Sequence, residues 1–490
     1  MDRTSRIFTL AALVTLGACA APAPRPARIA PREAEPAIAI VNATLWDGTG
    51  RGPVPNAVTL VRGDRILCAG AAAECVAPRD ARIIDAHGGW LIPGLIDTHV
   101  HLLFLERGSA GEELAADLKD LLAQGITSVR DMGTNPAELL SRTHALSAAP
   151  RVYAMQLVAG LRFFYERDQV QLPDGSVALR MPQAQAMEAR GWSPMMFTHG
   201  DNADSLVAEA RKTGAIGLKL YAYFDSATAR ALVDAAHRAG ISAWGHAWVQ
   251  PANPGELVRA GEDGIVHASL LVGDLLSGVA RDRLLASSAI LTTGASLETP
   301  EAAHDPRIGA TLDTMARRGT FLEPTLDVTL RSQAHFDGVV GTSPSLPAEF
   351  AHASVGFSMA VTREAVRRGV RITAGTDHVA YGPARDRASL VSELRLLVDS
   401  IGLSPAAALT AATRDAARAI GGEPARTLGT IEAGRYADLV LLDRNPLADI
   451  RNVESVEWVM QGGMLWHPWQ LRSGIASAEP PATSGAPGGD

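Results

Sequence analysis

Residues 93–101 read PGLIDTHVH, an apolar run that ends in two histidines one residue apart. In an extended strand, residues i and i+2 share a face, so His99 and His101 point one way and Val100 the other. Two imidazoles aimed in one direction suit a metal ion. They equally suit a strand end satisfied by carbonyls and water. The surrounding sequence has to decide between the two.

Downstream of Asp97 the chain alternates apolar strand-length runs with helical periods. EELAADLKDLLAQG (112–125) is helical in period and ends on a glycine, and ITSVRDMG (126–133) reads as the next strand. The scheme repeats in AIGLKLYAYF (215–224) before SATARALVDAAHRAG (226–240), then in ISAWGHAW (241–248) and DGIVHAS (263–269). GTFLEPTLDVT (319–329) and FSMAVTREAVRRGV (357–370) lead into RITAGTDH (371–378). Repeated strand–helix units imply a parallel sheet, and this many units imply an α/β fold: a distorted (β/α)8 TIM-like barrel over residues 93–422. Short strands punctuated by Gly and Asp precede it, as in AIAIVNATLWDG and AVTLVRGDRILCAG. Similar strands follow it, and the two stretches, 37–92 and 423–470, are expected to form one small discontinuous β-sandwich domain.

Within the barrel units, residues of ligand type recur at matching places. His99 and His101 end the first strand. Lys219 (GLKLY), His246 (WGHAW), His267 (IVHAS) and Asp377 (AGTDH) each sit near the end of a strand and ahead of a loop. The carboxyl ends of the strands build the active site in this architecture, so all six converge on one mouth. Taken singly, His246 or His267 reads as a core histidine; taken jointly, the bland account needs one coincidence repeated on five strands.

The ordered set PGLIDTHVH, KLY, GHA, VHAS and GTDH, closed by GTIEAGRYADLVLLDRNPL (429–447), resembles the amidohydrolase superfamily. Within it, the chain is similar to the branch of imidazolonepropionase-like proteins and Xaa-Pro dipeptidases, from about Ala37 to Trp466. The resemblance implies two divalent metal ions, usually zinc. His99, His101 and Asp377 would hold the more buried ion, and His246 and His267 the more exposed one. Lys219 would bridge them as an N-carboxylated side chain formed with carbon dioxide. An ammonium has donors only and cannot ligate a cation, whereas a carbamate offers two anionic oxygens. Asp377 would serve both as a ligand and as the base and acid acting on a metal-bridged hydroxide. One departure is Val266, where many relatives carry a glutamate before the histidine.

The expected reaction is hydrolysis of an amide, in a dipeptide or an N-acyl amino acid. A lactonase or cyclic-amide hydrolase would use the same centre, and a non-catalytic metal-binding lipoprotein is the reading from another class. Tyr221, Tyr223 and His378 are candidate substrate contacts, each with a packed aromatic or loop-capping role as the alternative. Arg162 and Arg167 could hold a carboxylate, and Trp244 and Trp248 could form apolar subsites.

Composition narrows the class. The chain has 490 residues, 47% of them apolar, and a formal net charge of −8 without a basic stripe, which excludes a nucleic-acid footprint. Residues 1–18 combine Arg3 and Arg6 with an apolar stretch from Ile7 to Leu16, the length of a signal-peptide core. LGAC at 16–19 resembles a lipobox, with Cys19 as the lipidated residue and the Pro/Ala-rich stretch 19–36 as a tether. The expectation is a lipoprotein of the bacterial cell envelope, held at the membrane by its lipid anchor and facing the periplasm or exterior. Relatives often assemble as homo-oligomers. Cys68 and Cys75 could pair across a hairpin or remain free thiols. Residues 471–490 read as a disordered tail.

Overall fold

The computed structural model describes residues 36–103, 110–165, 169–171, 177–179, 183–188, 191–276, 299–331, 353–379 and 389–473. The expectations for the leader, Cys19, the tether, Arg167 and nearly all of the C-terminal tail fall outside those residues.

Eight parallel strand positions run in sequence order around a closed barrel: Leu95–His101, Ile126–Asp131, Arg151–Ala159, Gly217–Ala222, Ser242–His246, Gly264–Val266, Phe321–Glu323 and a split eighth. The eighth position is broken. Arg371–Ile372 pairs with Phe321–Leu322, while His378–Val379 pairs with Val100–His101 and closes the ring. Asp97 ties the break together. Its carboxylate accepts from the Thr376 hydroxyl at 2.7 Å and from the backbone N–H groups of Thr376 and His99, each at 3.1 Å. This interruption distorts the barrel and leaves Asp377 at the strand end beside His99, whose carbonyl accepts from the Asp377 N–H at 2.9 Å.

Helices cover the outside, as parallel strands buried on both faces require. Ser226–Arg238 shows how local sequence sets one of them. Asp225 accepts from the Thr228 N–H as N-cap, and Leu232, Val233 and Ala236 fall on the buried face. Basic His237 and Arg238 occupy its last turn, where the helix dipole favours positive charge.

A second, eight-stranded sheet is assembled from both ends of the described chain. Ile38–Leu45, Val54–Arg62, Arg65–Ala71, Arg82–Asp85 and Trp90–Pro93 join Leu439–Leu442, Val456–Gln461 and Met464–Trp466. Its seam is the antiparallel pairing of Leu439 with Pro93 through Leu442 with Trp90. The chain passes from that seam straight into Leu95–His101, so the returning C-terminal strand anchors the strand that carries the two histidines. Cys68 and Cys75 form a disulfide, with their Cα atoms 5.7 Å apart, which settles the alternative left open by spacing.

Candidate metal centre

Leu95–His101 is buried along its whole length although four of its seven residues are polar. Each polar side chain therefore needs a partner. His99 and His101 face the barrel axis, with their Nε2 atoms 3.3 Å apart. Asp377 Oδ1 lies 3.4 Å from the first and 3.1 Å from the second. His99, His101 and Asp377 can thus offer one donor atom each to a single ion, all within 4.8 Å of one another.

The remaining expected ligands surround this trio. The His267 ring centroid is 5.1 Å from that of His99, and His246 is 4.9 Å from His267. Lys219 is 1% exposed, and its Nζ has no hydrogen-bond partner among the described residues. His267 and Asp377 have φ values of 66° and 58°, a left-handed conformation that non-glycine residues adopt at a cost. Both lie where a strand turns sharply into its loop, and the turn directs the side chain at the centre.

Two residues absent from the sequence-based set complete the arrangement. Glu323 ends the seventh strand with no exposed surface, and its Oε1 lies 2.7 Å from His99 Nδ1. Its Oε2 accepts from the guanidinium of Arg130 at 2.9 Å. Arg130 is also fully buried, donates to the carbonyls of Thr98 and Ala419, and stacks 3.8 Å from the centroid of the Trp244 ring. Burial opposes ionisation of Glu323, but Arg130 and His99 outweigh it and hold the carboxyl down at about 2. An ionised Glu323 requires His99 to carry its proton on Nδ1, which leaves the Nε2 lone pair facing Asp377 and His101. Thr325 Oγ1, 2.9 Å from His267 Nδ1, leaves Nε2 of that ring as its remaining ligand atom. The sequence signal was present in both cases: an acid ending the strand FLE, and an arginine inside the otherwise uncharged strand interior ITSVR.

Electrostatics put these groups in ligand form. Burial lowers His99, takes His246 well below its ordinary value and brings His267 down to about 3, so the imidazoles are neutral. Burial also brings Lys219 down to about 7, against the pull of Glu323 and Asp377, so near neutrality a large share of it is free amine. Lone-pair donors converging in the barrel mouth beside an orphaned buried amine fit divalent metal far better than they fit one another.

An aromatic wall flanks the centre. Trp192 stacks on His101 with centroids 4.6 Å apart, and Tyr221 lies 4.3 Å from His246. Arg162 sits over the Tyr223 ring at 4.8 Å. His378 is placed elsewhere: its Nε2 faces the buried carboxylate of Asp117, 3.0 Å away. Trp244 is not part of a subsite either. It fills the barrel interior between Arg130 and Phe321, and Trp248 packs against Leu276 and Leu270.

Comparison with known proteins agrees with this geometry. Residues 90–465 match the model of the amidohydrolase family. An uncharacterised protein of Mycobacterium tuberculosis is 26% identical over 340 residues, which cover 68% of this chain and 75% of the relative. A solved Xaa-Pro dipeptidase with methionine bound in its active site superposes with a TM-score of 0.65 at 20% identity, covering 88% of this chain and 100% of the other. Ochratoxinase of Aspergillus niger gives 0.65 at 20% identity, over 89% and 97%. The closed parallel barrel, the candidate ligands at its strand ends and the family match over most of the chain have one reading: this protein belongs to the amidohydrolase family and is a hydrolytic enzyme.

Proposed function

We propose that the protein is a metal-dependent hydrolase that cleaves the amide bond of a dipeptide or an N-acyl amino acid. The observation that carries this reading is the convergence of His99 Nε2, His101 Nε2 and Asp377 Oδ1 within hydrogen-bonding range of one another. His99, His101 and Asp377 would hold one ion, and His246 and His267 a second. Lys219 would link the two after its free amine adds to carbon dioxide, forming an N–C bond and releasing one proton. When bound, divalent ions of this kind polarise a scissile carbonyl and acidify water.

The chain's own groups supply the rest. Asp377 keeps 23% of its side chain exposed, so its carboxylate stands at the open side of the centre, where it can take a proton from water and return it to the leaving amine. Trp192 and Tyr221 give the apolar side of a substrate a surface on which to lie, and the guanidinium of Arg162 beside Tyr223 suits a carboxylate. One of the similar structures supports a dipeptide substrate by its name, as a Xaa-Pro dipeptidase.

Purified chain reconstituted with zinc and bicarbonate is expected to hold about two metal ions and to hydrolyse members of a dipeptide and N-acyl amino acid panel. Asp377→Asn is expected to lower turnover by at least about 100-fold, the scale of a lost general acid–base, with the fold retained by circular dichroism. Undiminished turnover would remove Asp377 from the reaction. Cleavage of lactones alone would replace the amide reading.

The reading includes location. Cys19 is the lipidated residue of an envelope lipoprotein, and the Cys68–Cys75 disulfide is in keeping with an oxidising compartment. Cys19→Ala is expected to move the protein from the membrane fraction to the soluble one, and retention in the membrane would point to a different anchor.

A further inference from the structure

The opposite pole of the barrel holds a cavity of about 400 Å³. That is within the range of roughly 300–1,000 Å³ for small-molecule sites. It lies under the strand starts: Ser242 opens the strand that ends in His246, and Phe321 opens the one that ends in Glu323. Four strand steps of about 3.3 Å put its floor about 13 Å from the metal centre, on the far side of Trp244.

Its lining is unbalanced in a particular way. Glu262 is 1% exposed, and neither carboxylate oxygen has a hydrogen-bond partner among the described residues. The buried hydroxyl of Ser242 is also without one. A buried carboxyl left unpaired is costly, and native proteins rarely leave both of its oxygens so. Asp263 does not share this condition, because it accepts from the Ala243 N–H and lies 3.0 Å from His237.

Three arginines line the same cavity. Arg418 is paired with Asp415 at 3.1 Å. Arg371 donates to the Gly319 carbonyl and lies over the Phe321 ring, with no carboxylate partner among the described residues. Arg318 is exposed and has neither a hydrogen bond nor an ion pair there. An unpaired carboxyl inside and unpaired guanidiniums at the rim therefore share one cavity without pairing with each other. Gly245 explains how the carboxyl fits inside the barrel wall: a Cβ there would meet Glu262 Oε1 at 2.5 Å.

We propose that this cavity is a binding site for a small zwitterion of the α-amino acid class, with its ammonium against Glu262 and Ser242 and its carboxylate against Arg318 and Arg371. Such a ligand satisfies both ends at once. A simple anion would leave the buried carboxyl of Glu262 without a partner, and a simple cation would leave the guanidiniums unmatched. Burial pushes the Glu262 carboxyl well above the usual range, against the pull of Lys219, and a positive partner would oppose that shift. Lys219 acts electrostatically on Glu262, but the proposal needs no reaction at the metal centre, and the Asp377→Asn arm of the test below separates the two.

The test is titration calorimetry on the zinc-loaded chain with glycine, L-alanine, L-leucine and L-glutamate, and with acetate and methylammonium as single-charge controls. At least one amino acid is expected to bind saturably at about 10 mM or below, the concentration that nearly fills a site of about 1 mM Kd. Glu262→Gln and Arg318→Ala are each expected to raise that Kd at least tenfold, and Asp377→Asn is expected to leave it unchanged. Arg318 is exposed, so its variant tests the site even if Glu262→Gln fails to fold. Three results would overturn the proposal: no saturable binding by any amino acid, binding abolished by Asp377→Asn but not by Arg318→Ala, or acetate or methylammonium binding as tightly as the zwitterion.

Discussion

Replacing Glu323 by Gln tests whether the centre is set by its supporting pair. The substitution keeps the volume of a side chain that has no exposed surface and removes its charge. Glu323 now accepts from two donors, His99 Nδ1 at 2.7 Å and Arg130 at 2.9 Å. A carboxamide has one oxygen and one NH2, so it can accept from only one of them and turns a donor towards the other. Arg130 keeps the carbonyls of Thr98 and Ala419 but loses its counter-ion in a dry site. Breaking a buried pair from one side costs about 3–5 kcal/mol of stability. His99 in turn loses the carboxylate that fixes its tautomer, a change that typically weakens metal affinity by about 10–100-fold. That corresponds to about 1.4–2.8 kcal/mol of binding.

The two effects separate in a second variant. Glu323→Gln combined with Arg130→Met removes both charges, so no orphan charge remains, and most of the lost stability is expected to return. Zinc affinity is expected to stay low, because His99 still lacks its carboxylate. Urea unfolding of metal-free protein reads the first quantity, and competition with a chromophoric chelator reads the second. Stability of Glu323→Gln within about 1 kcal/mol of the parent, together with unchanged zinc affinity, would refute the reasoning, since surface-like substitutions fall within that range.

Further predictions concern packing and pH. A Cβ on Gly375 would lie 2.7 Å from both Glu323 Cδ and His99 Cβ, so Gly375→Ala is expected to cost about 1–3 kcal/mol and to lower metal content; parent-like melting and stoichiometry would contradict it. Glu393 is fully buried, and burial pushes its carboxyl up to about 8, so the folded chain holds a proton there that the unfolded chain releases above its ordinary value of 4.5. Its contribution is therefore fully present below about pH 4.5 and is lost as pH rises towards 8, at up to about 1.4 kcal/mol per pH unit. Glu393→Gln removes that slope while keeping an acceptor for the Asp327 N–H. Urea midpoints from pH 5 to 8 that fall equally in parent and variant would rule it out.

The candidate ligand residues were legible because each breaks a local rule. A histidine, lysine or aspartate at the end of an apolar strand conflicts with the pattern of a strand buried on both faces, and barrel geometry collects such exceptions at one pole. The two-residue period of a strand also gives the direction of its side chains, which is why His99 and His101 can be oriented from sequence. The broken eighth strand was less legible. Arg371–Ile372 and His378–Val379 read as one short strand, and only the Asp97–Thr376 contacts show where it parts.

Glu323 and Arg130 break the same rule as the histidines, yet their meaning could not be read from either stretch alone. Glu323 lies 224 residues from His99 and 193 from Arg130, and strand spacing cannot say which buried charge meets which. Isolated in sequence, each is an anomaly; paired in the barrel, they neutralise one another and fix a tautomer. Glu262 shows the converse. It sits before a strand rather than at its end, where a glutamate is unremarkable in sequence, and only its burial without a partner marks it. A residue that ligates announces itself against its own strand, whereas a residue that supports a ligand, or waits for one, is defined by what the rest of the fold places beside it.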